Sequence, residues 1–517
     1  MNDSAAGDKA DIPLPQGMRG VTAFALALGT FMQVLDTTIA NVSVPTIAGN
    51  LGVSASQGTW VITSFAVANG ISVPLTGWLM QRYGVVRTFV TCVLLFTFAS
   101  FLCGIAWSFT SLIAFRVLQG AVSGPMIPGS QTLLMSIFPH SKRGLSLAIW
   151  SMTTLIAPIA GPLLGGYISE EYSWPWIFLI NVPVGLFSAA LCWAALKGHE
   201  RPTRRVPVDV VGLALLVIWI GALQIMLDTG KDEGWFDSTQ IIVLALVAGV
   251  GLVTFLIWEL GEKNPIVDLS LFRSHNFTVG TVALCIGYAV FFGNLVILPL
   301  WLQTQLGYTS TWAGLVQSPA GVVALLLAPF VGRTVVKVDA RLYASIAFIM
   351  LAASVYMRAQ FTSQVAFGDL VLPMLVQGIA MPFFFISMVT ILLDGLPARQ
   401  IPAATGISNF LRITAAAFAT SIATTTWDNR ATLHQSRLAE SSSLYDPVLL
   451  EAMGRVRDLG LDTEQSLGVL TRAMVEQSYL LSSLDYFWLS AWLSLAMIGL
   501  VWWTHRPTGG QAAAPID

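Results

Sequence analysis

Charge is what this chain has least of. Asp, Glu, Lys and Arg make up 10% of its 517 residues, while 55% are hydrophobic, and the mean hydropathy is +0.72. A soluble domain carries roughly 25% charged residues, so a water-facing globule is excluded. The net charge of −2 leaves no basic patch, and no nucleic-acid partner is expected. Cysteine is scarce too: Cys92, Cys103, Cys192 and Cys285 all fall in apolar stretches without CxxC spacing, which argues against a disulfide framework or metal site. None of the five histidines (His140, His199, His275, His434, His505) lies in the core of an apolar run, and HExxH is absent. Nor is there a GxxxxGK[ST] loop, since Gly230-Lys231 is followed by Asp232. Enzymatic and ATP-driven readings therefore lose their chemistry. No cofactor is expected, and an ion gradient is left as the energy source. The polar first residues, Met1 to Arg19, contain no apolar core, so no cleavable signal peptide is expected.

What is abundant is long apolar runs. A helix needs roughly 20 predominantly apolar residues to cross the hydrocarbon core. Such runs occupy approximately 20–43, 57–78, 88–107, 110–134, 144–168, 176–196, 208–228, 239–260, 277–302, 311–332, 341–358, 369–393, 403–427 and 482–503. Fourteen spans put both termini on one side. With the N-terminus inside, Lys and Arg of the short loops crowd the cytoplasmic side, from Lys9 to Arg506, leaving only Lys231 and Arg358 in short outer loops. The tails 1–19 and 504–517 are then cytoplasmic and segment 428–481 is external. Within that segment, Asp446-Pro447 reads as an N-cap followed by Pro at N1, and Asp462-Thr463-Glu464-Gln465 as a capping box. Two short amphipathic helices are expected there, the second running into the last span. They form either a solvated connector or a docking surface.

Most charged residues lie in loops or at span ends; Asp36, Arg116 and Arg412 do not. Each costs at least ~2.5–3.5 kcal/mol at a helix centre, which makes it a functional candidate by default. Gln33, Asp36, Thr37 and Asn41 share one face of the first span. Gln119, Gly120 and Ser123 accompany Arg116 in the fourth. Counting residues from the outer ends places Asp36 and Arg116 at one depth, so the two charges can meet. Either they couple protons to transport, or they hold two helices together as a plain ion pair. Arg412, with Asn409 one turn earlier, has no evident partner, and both remain candidates for a substrate cavity. Phe291, Phe292, Phe383, Phe384 and Phe385 either line that cavity or pack against neighbours.

These residues also fall in motifs. Leu35-Asp36-Thr37-Thr38-Ile39-Ala40-Asn41-Val42-Ser43-Val44-Pro45, the stretch Leu112 to Gly124, Ala157-Pro158 with Gly161-Pro162-Leu163-Leu164-Gly165-Gly166, and Trp174-Pro175-Trp176-Ile177-Phe178 with Asn181-Val182-Pro183 follow in order. Together they resemble the fourteen-span drug:proton antiporter branch of the major facilitator superfamily, and over almost its whole length the chain is similar to exporters of the EmrB type. Gly77-Trp78-Leu79-Met80-Gln81-Arg82-Tyr83-Gly84 resembles the superfamily's cytoplasmic gating motif, with Gln81 where an acidic residue is usual and Val85 and Val86 where basic ones are.

The resemblance implies an all-α integral membrane protein with two six-helix bundles, 20–196 and 277–503, and an additional pair of helices at 208–260. It implies proton coupling through Asp36 and Arg116, with Gln33, Thr37, Asn41, Gln119, Asn409 and Arg412 as cavity candidates. Gly77, Arg82, Gly84, Pro158, Gly161, Pro162, Gly165 and Gly166 would shape the gate. The expected function is export of small hydrophobic compounds against protons, in contact with membrane lipids of a bacterial inner membrane. A periplasmic adaptor (a membrane fusion protein) and a TolC-like outer-membrane channel are the expected partners. A transporter of one specific solute stays open as the alternative.

Overall fold

The computed structural model describes residues 12–507 apart from 13, 54–57, 59, 140–141, 201–202, 204–206, 208, 232, 264, 336, 398–399, 441–446 and 459–461, and apart from a few helical side chains, among them Asn41, Pro158 and Pro162. Most of both expected tails and the expected N-cap Asp446 lie outside the described residues.

The first half consists of α1 (Gln16–Asn50), α2 (Trp60–Ser72), α3 (Thr76–Tyr83), α4 (Val85–Gly104), α5 (Phe109–Ser123), α6 (Met126–Ile137), α7 (Arg143–Glu171), α8 (Trp176–Leu179) and α9 (Asn181–Leu196). Two more helices follow, α10 (Val210–Thr229) and α11 (Thr239–Gly261). The second half holds α12 (His275–Thr304), α13 (Ser310–Thr334), α14 (Ala340–Arg358), α15 (Phe367–Leu392), α16 (Ile401–Glu440), α17 (Pro447–Arg457) and α18 (Thr463–Trp502). The expected second span is broken: α2 and α3 meet at 57°, where Pro74 withdraws a backbone donor. Pro125 likewise separates α5 from α6.

Among the described residues, ten helices are long and apolar enough to cross a membrane, or eleven if the bent pair counts as one. The other expected segments, 110–134, 144–168 and 403–427, are helical as well. Helix α11 shows what surrounds the protein. It is apolar all round, yet only 22% of its central window is buried, and Val250, Ile257 and Leu260 stand exposed. Such a surface fits lipid, not water.

One packing scheme is used twice. In the first half α1 packs on α7 and α9, α2 on α5, and α4 on α5 and α9. In the second, α12 packs on α16 and α18, α13 on α15, and α14 on α15 and α18. The halves join symmetrically, α7 against α13 and α3 against α16. The pair α10 and α11 docks outside this repeat. Ser421 donates to the Leu227 carbonyl at 2.6 Å, Trp235 Nε1 to Thr425 Oγ1 at 2.9 Å, and Lys231 pairs with Asp428 at 2.8 Å.

Segment 428–481 is more helical than expected. α16 continues unbroken to Glu440 instead of ending near Trp427, and α18 runs from Thr463 to Trp502. The capping box at its start forms as read: Asp462 accepts from the Gln465 amide and Gln465 from the Asp462 amide. The two long helices brace each other. Trp427 Nε1 donates to Ser483 Oγ at 2.8 Å, and Asp485 Oδ2 lies 2.8 Å from His434 Nε2. Polar sequence past Trp427 signals the end of the apolar run, whereas the helix itself continues, largely exposed, with Ala431 buried and His434 against Asp485.

Candidate functional site

Four elements of the first half converge on Asp36, which is fully buried on α1. Gly120 lets α5 press against α2, because a Cβ there would stand 2.4 Å from the Phe65 carbonyl oxygen. That approach carries Arg116, also fully buried, across to α1. Its Nη1 reaches Asp36 Oδ2 at 2.7 Å and also donates to Gln119 Oε1 at 2.7 Å. Its Nε donates to the Val61 carbonyl at 2.9 Å, and the Phe65 ring lies 4.3 Å from the guanidinium carbon. The other carboxylate oxygen accepts from Gln119 Nε2 at 3.1 Å and from Asn181 Nδ2 at 2.8 Å. Asn181 in turn donates to Ser100 Oγ at 3.0 Å.

The carboxylate thus has an arginine and two amides aimed at it, inside the helical bundle. Buried charges require this degree of pairing. If Asp36 takes up a proton, the ion pair is lost and the guanidinium is left buried without its counter-charge.

The structure brings Asp36, Arg116 and Gln119 together, and adds Asn181, a motif residue whose role the sequence alone does not reveal. Gln33 is buried one turn before Asp36, its Oε1 without a partner. Thr37 stays half-buried and donates within its own helix, to Gln33 and Val34 carbonyls. Of the residues expected to shape the gate, Gly161 and Gly165 seat α7 on α1: a Cβ on Gly161 would meet Thr38 Oγ1 at 2.1 Å, and one on Gly165 the Ile39 carbonyl oxygen at 2.9 Å. Gly166 is buried. Gly77 abuts Ala403 of the other half, where a Cβ would come within 3.2 Å. Gly84 adopts φ +95°, and Arg82 lies against the rings of Trp78 and Tyr83. A carboxylate does serve the loop that has Gln81 in place of an acid, but it comes from Glu200, whose oxygens accept from the Val86 and Arg87 amides at 3.1 and 3.0 Å. It caps α4, as an anion at a helix N-terminus should.

Arg412 lies where the halves meet. It is 4% exposed and donates to Asn409 Oδ1 at 2.8 Å. Trp150 of the first half and Tyr288 and Phe385 of the second surround it at 5.7, 4.7 and 5.7 Å. Asn409 also crosses the interface, donating to Gln131 Oε1 at 3.0 Å. Phe291, Phe384 and Phe385 are buried and line one small apolar cavity, while Phe292 and Phe383 are only half-buried. One expectation is overturned. Arg358, expected in an outer loop, is 1% exposed at the end of α14, because α15 and α18 close over it.

A family model described as Major Facilitator Superfamily matches residues 26–420. The chain belongs to the major facilitator superfamily. It is 48% identical to the multidrug export protein EmrB of Escherichia coli K12, over 96% of this chain and 97% of that one. It is 46% identical to the fatty acid resistance protein FarB of Neisseria gonorrhoeae, over 96% and 98% of the two chains. Among solved structures, the human organic anion transporter MFSD10 superposes with a TM-score of 0.60, covering 94% of this chain and all of that one, at 14% identity, so it attests the fold alone. The chain is a multi-pass membrane transporter of this superfamily, not an enzyme.

Proposed function

We propose that this protein is a proton-coupled antiporter that exports hydrophobic toxic compounds across a bacterial inner membrane, with fourteen spans and both termini in the cytoplasm. The observation that carries the reading is the buried cluster of Asp36, Arg116, Gln119 and Asn181, a carboxylate and its guanidinium partner held jointly by α1, α2, α5 and α9. Relatives named for multidrug export and fatty acid resistance support the substrate class. The halves are joined at Thr132–Thr405, Gln131–Asn409 and Gly144–Gly332, at the helix ends that the lysine and arginine distribution assigns to the cytoplasm. Arg412, one turn beyond that closure and buried between the halves, is the residue we assign to the midplane site. Rocking of the two halves around such a midplane site is how transporters built from repeats alternate access.

Docking of a periplasmic adaptor, itself leading to an outer-membrane channel, is supported by helix length. α16 and α18 have 40 residues each, about 60 Å at 1.5 Å per residue, roughly twice the hydrocarbon thickness. Both therefore project well beyond the bilayer on one side, with α17 between them. The test is substrate accumulation in inverted vesicles with and without an imposed pH gradient. Export by this protein requires accumulation that rises with an acidic interior and collapses when the gradient is dissipated. Accumulation indifferent to the gradient would sink the proposal.

A further inference from the structure

The second half carries a counterpart of the Asp36 cluster with its charges rearranged. Gln377-Gly378 on α15 repeats Gln119-Gly120 on α5. A Cβ on Gly378 would stand 2.5 Å from the Ala320 carbonyl oxygen, as one on Gly120 would against Phe65. Met374 precedes Gln377 by the interval that separates Arg116 from Gln119. Asn294, a little past the middle of α12, takes the station that Asp36 has on α1. The cation comes from a different helix, the third of its half: Arg358, at the end of α14.

Arg358 donates to Gln377 Oε1, to Ser354 Oγ at 3.2 Å and to Met374 Sδ at 3.8 Å. No carboxylate among the described residues pairs with it. Its Nε and the Oδ1 of Asn294 are both buried without partners. Asn294, Gln317, Gln377 and Arg358 line a cavity of about 10 Å³, room for about one water-sized occupant. A guanidinium buried this way demands a counter-charge, and the described residues provide none.

We propose that the cavity is a binding site for one small monovalent anion of about chloride's size, held by the Arg358 guanidinium and by N–H groups of the neighbouring amides. Asn294 Nδ2 donates to the Val290 carbonyl at 2.7 Å, so turning this amide over exchanges that bond for one to the ion. The site replaces internally paired charge by bound charge: where the first half has Asp36, the second has Asn294 and an ion.

The test uses the purified full-length protein. Its thermal midpoint is followed while potassium gluconate, too large for the cavity, is exchanged for potassium chloride or bromide at constant ionic strength. The midpoint should rise saturably by roughly 2 °C in either halide. Asn294→Asp supplies the missing carboxylate beside Arg358, so it should fold and lose the halide response. Arg358→Gln should lose it as well, and if that variant fails to fold, Asn294→Asp alone decides. A wild-type midpoint indifferent to halide would mean that the cavity holds only water. A halide response kept intact by Asn294→Asp would place the ion elsewhere. Either result overturns the proposal.

Discussion

Removing one member of the Asp36–Arg116 pair should be worse for folding than removing both. Asp36→Asn leaves the Arg116 guanidinium fully buried, with only the Val61 carbonyl, the Gln119 amide oxygen and the newly introduced amide oxygen to accept from it. Arg116→Met leaves a buried carboxylate with two amide donors, from Gln119 and Asn181. Orphaning a buried charge costs about 3–5 kcal/mol, whereas the double variant Asp36→Asn/Arg116→Met leaves no charge to orphan. The pair stands 2.7 Å apart with both side chains fully buried, so solvent screening does not soften the effect. The coupling energy should therefore lie at the upper end of the roughly 0.5–3 kcal/mol found for contacting residues. Reversible unfolding in mixed micelles, titrated with a denaturing detergent, measures all four corners of the cycle. Losses that add to within about 0.5 kcal/mol would refute the reasoning, since they would mean that neither charge depends on the other.

Three further outcomes follow from the same geometry. Gly161→Ala should impair transport more than folding, because its Cβ would meet Thr38 at 2.1 Å and force α7 off α1; transport and unfolding assays on one preparation separate the two effects. At the N-terminus of α14, hydrogen bonds and charge from Arg341, and the more distant Arg506, hold the Asp339 carboxyl below its ordinary pKa of 3.8. A depressed pKa contributes stability that is complete above the unfolded value and is lost as pH falls through the folded one. The stability difference between the wild type and Asp339→Asn should accordingly be constant near neutrality and shift only below about pH 4, as read from unfolding midpoints against pH. Deleting 446–476 should leave the protein inserted and able to bind substrate, yet abolish resistance in cells with two membranes; unchanged resistance would favour a solvated connector.

Much of the helical fold is legible in the apolar runs, since a chain this poor in charge has few other ways to satisfy its backbone in lipid. The meeting of Asp36 and Arg116 is legible too, because each is an isolated charge in an apolar run at matching depth. Asn181 is not, since an asparagine near the start of a span reads as interfacial until α9 is seen lying beside α1. Arg358 misleads for a related reason. As the last residue of its run before Gln360 and Thr362 it looks like a loop cation, and only the packing of α15 and α18 over it shows otherwise. Glu200 reaches back to α4 across a distance in sequence that no local pattern encodes. The continuation of α16 past Trp427 is polar and largely exposed, so hydropathy does not register it.

The most direct test of proton coupling is proton release on substrate binding. Purified protein in weakly buffered solution near neutral pH is mixed with a hydrophobic substrate chosen from the resistance profile, and the pH change is recorded for the wild type and Asp36→Asn. Coupling through Asp36 predicts release from the wild type and none from the variant, which should still insert in the membrane but no longer export under a pH gradient. If Asp36→Asn releases as many protons and exports against the gradient, Asp36 is a structural residue and the proton carrier lies elsewhere.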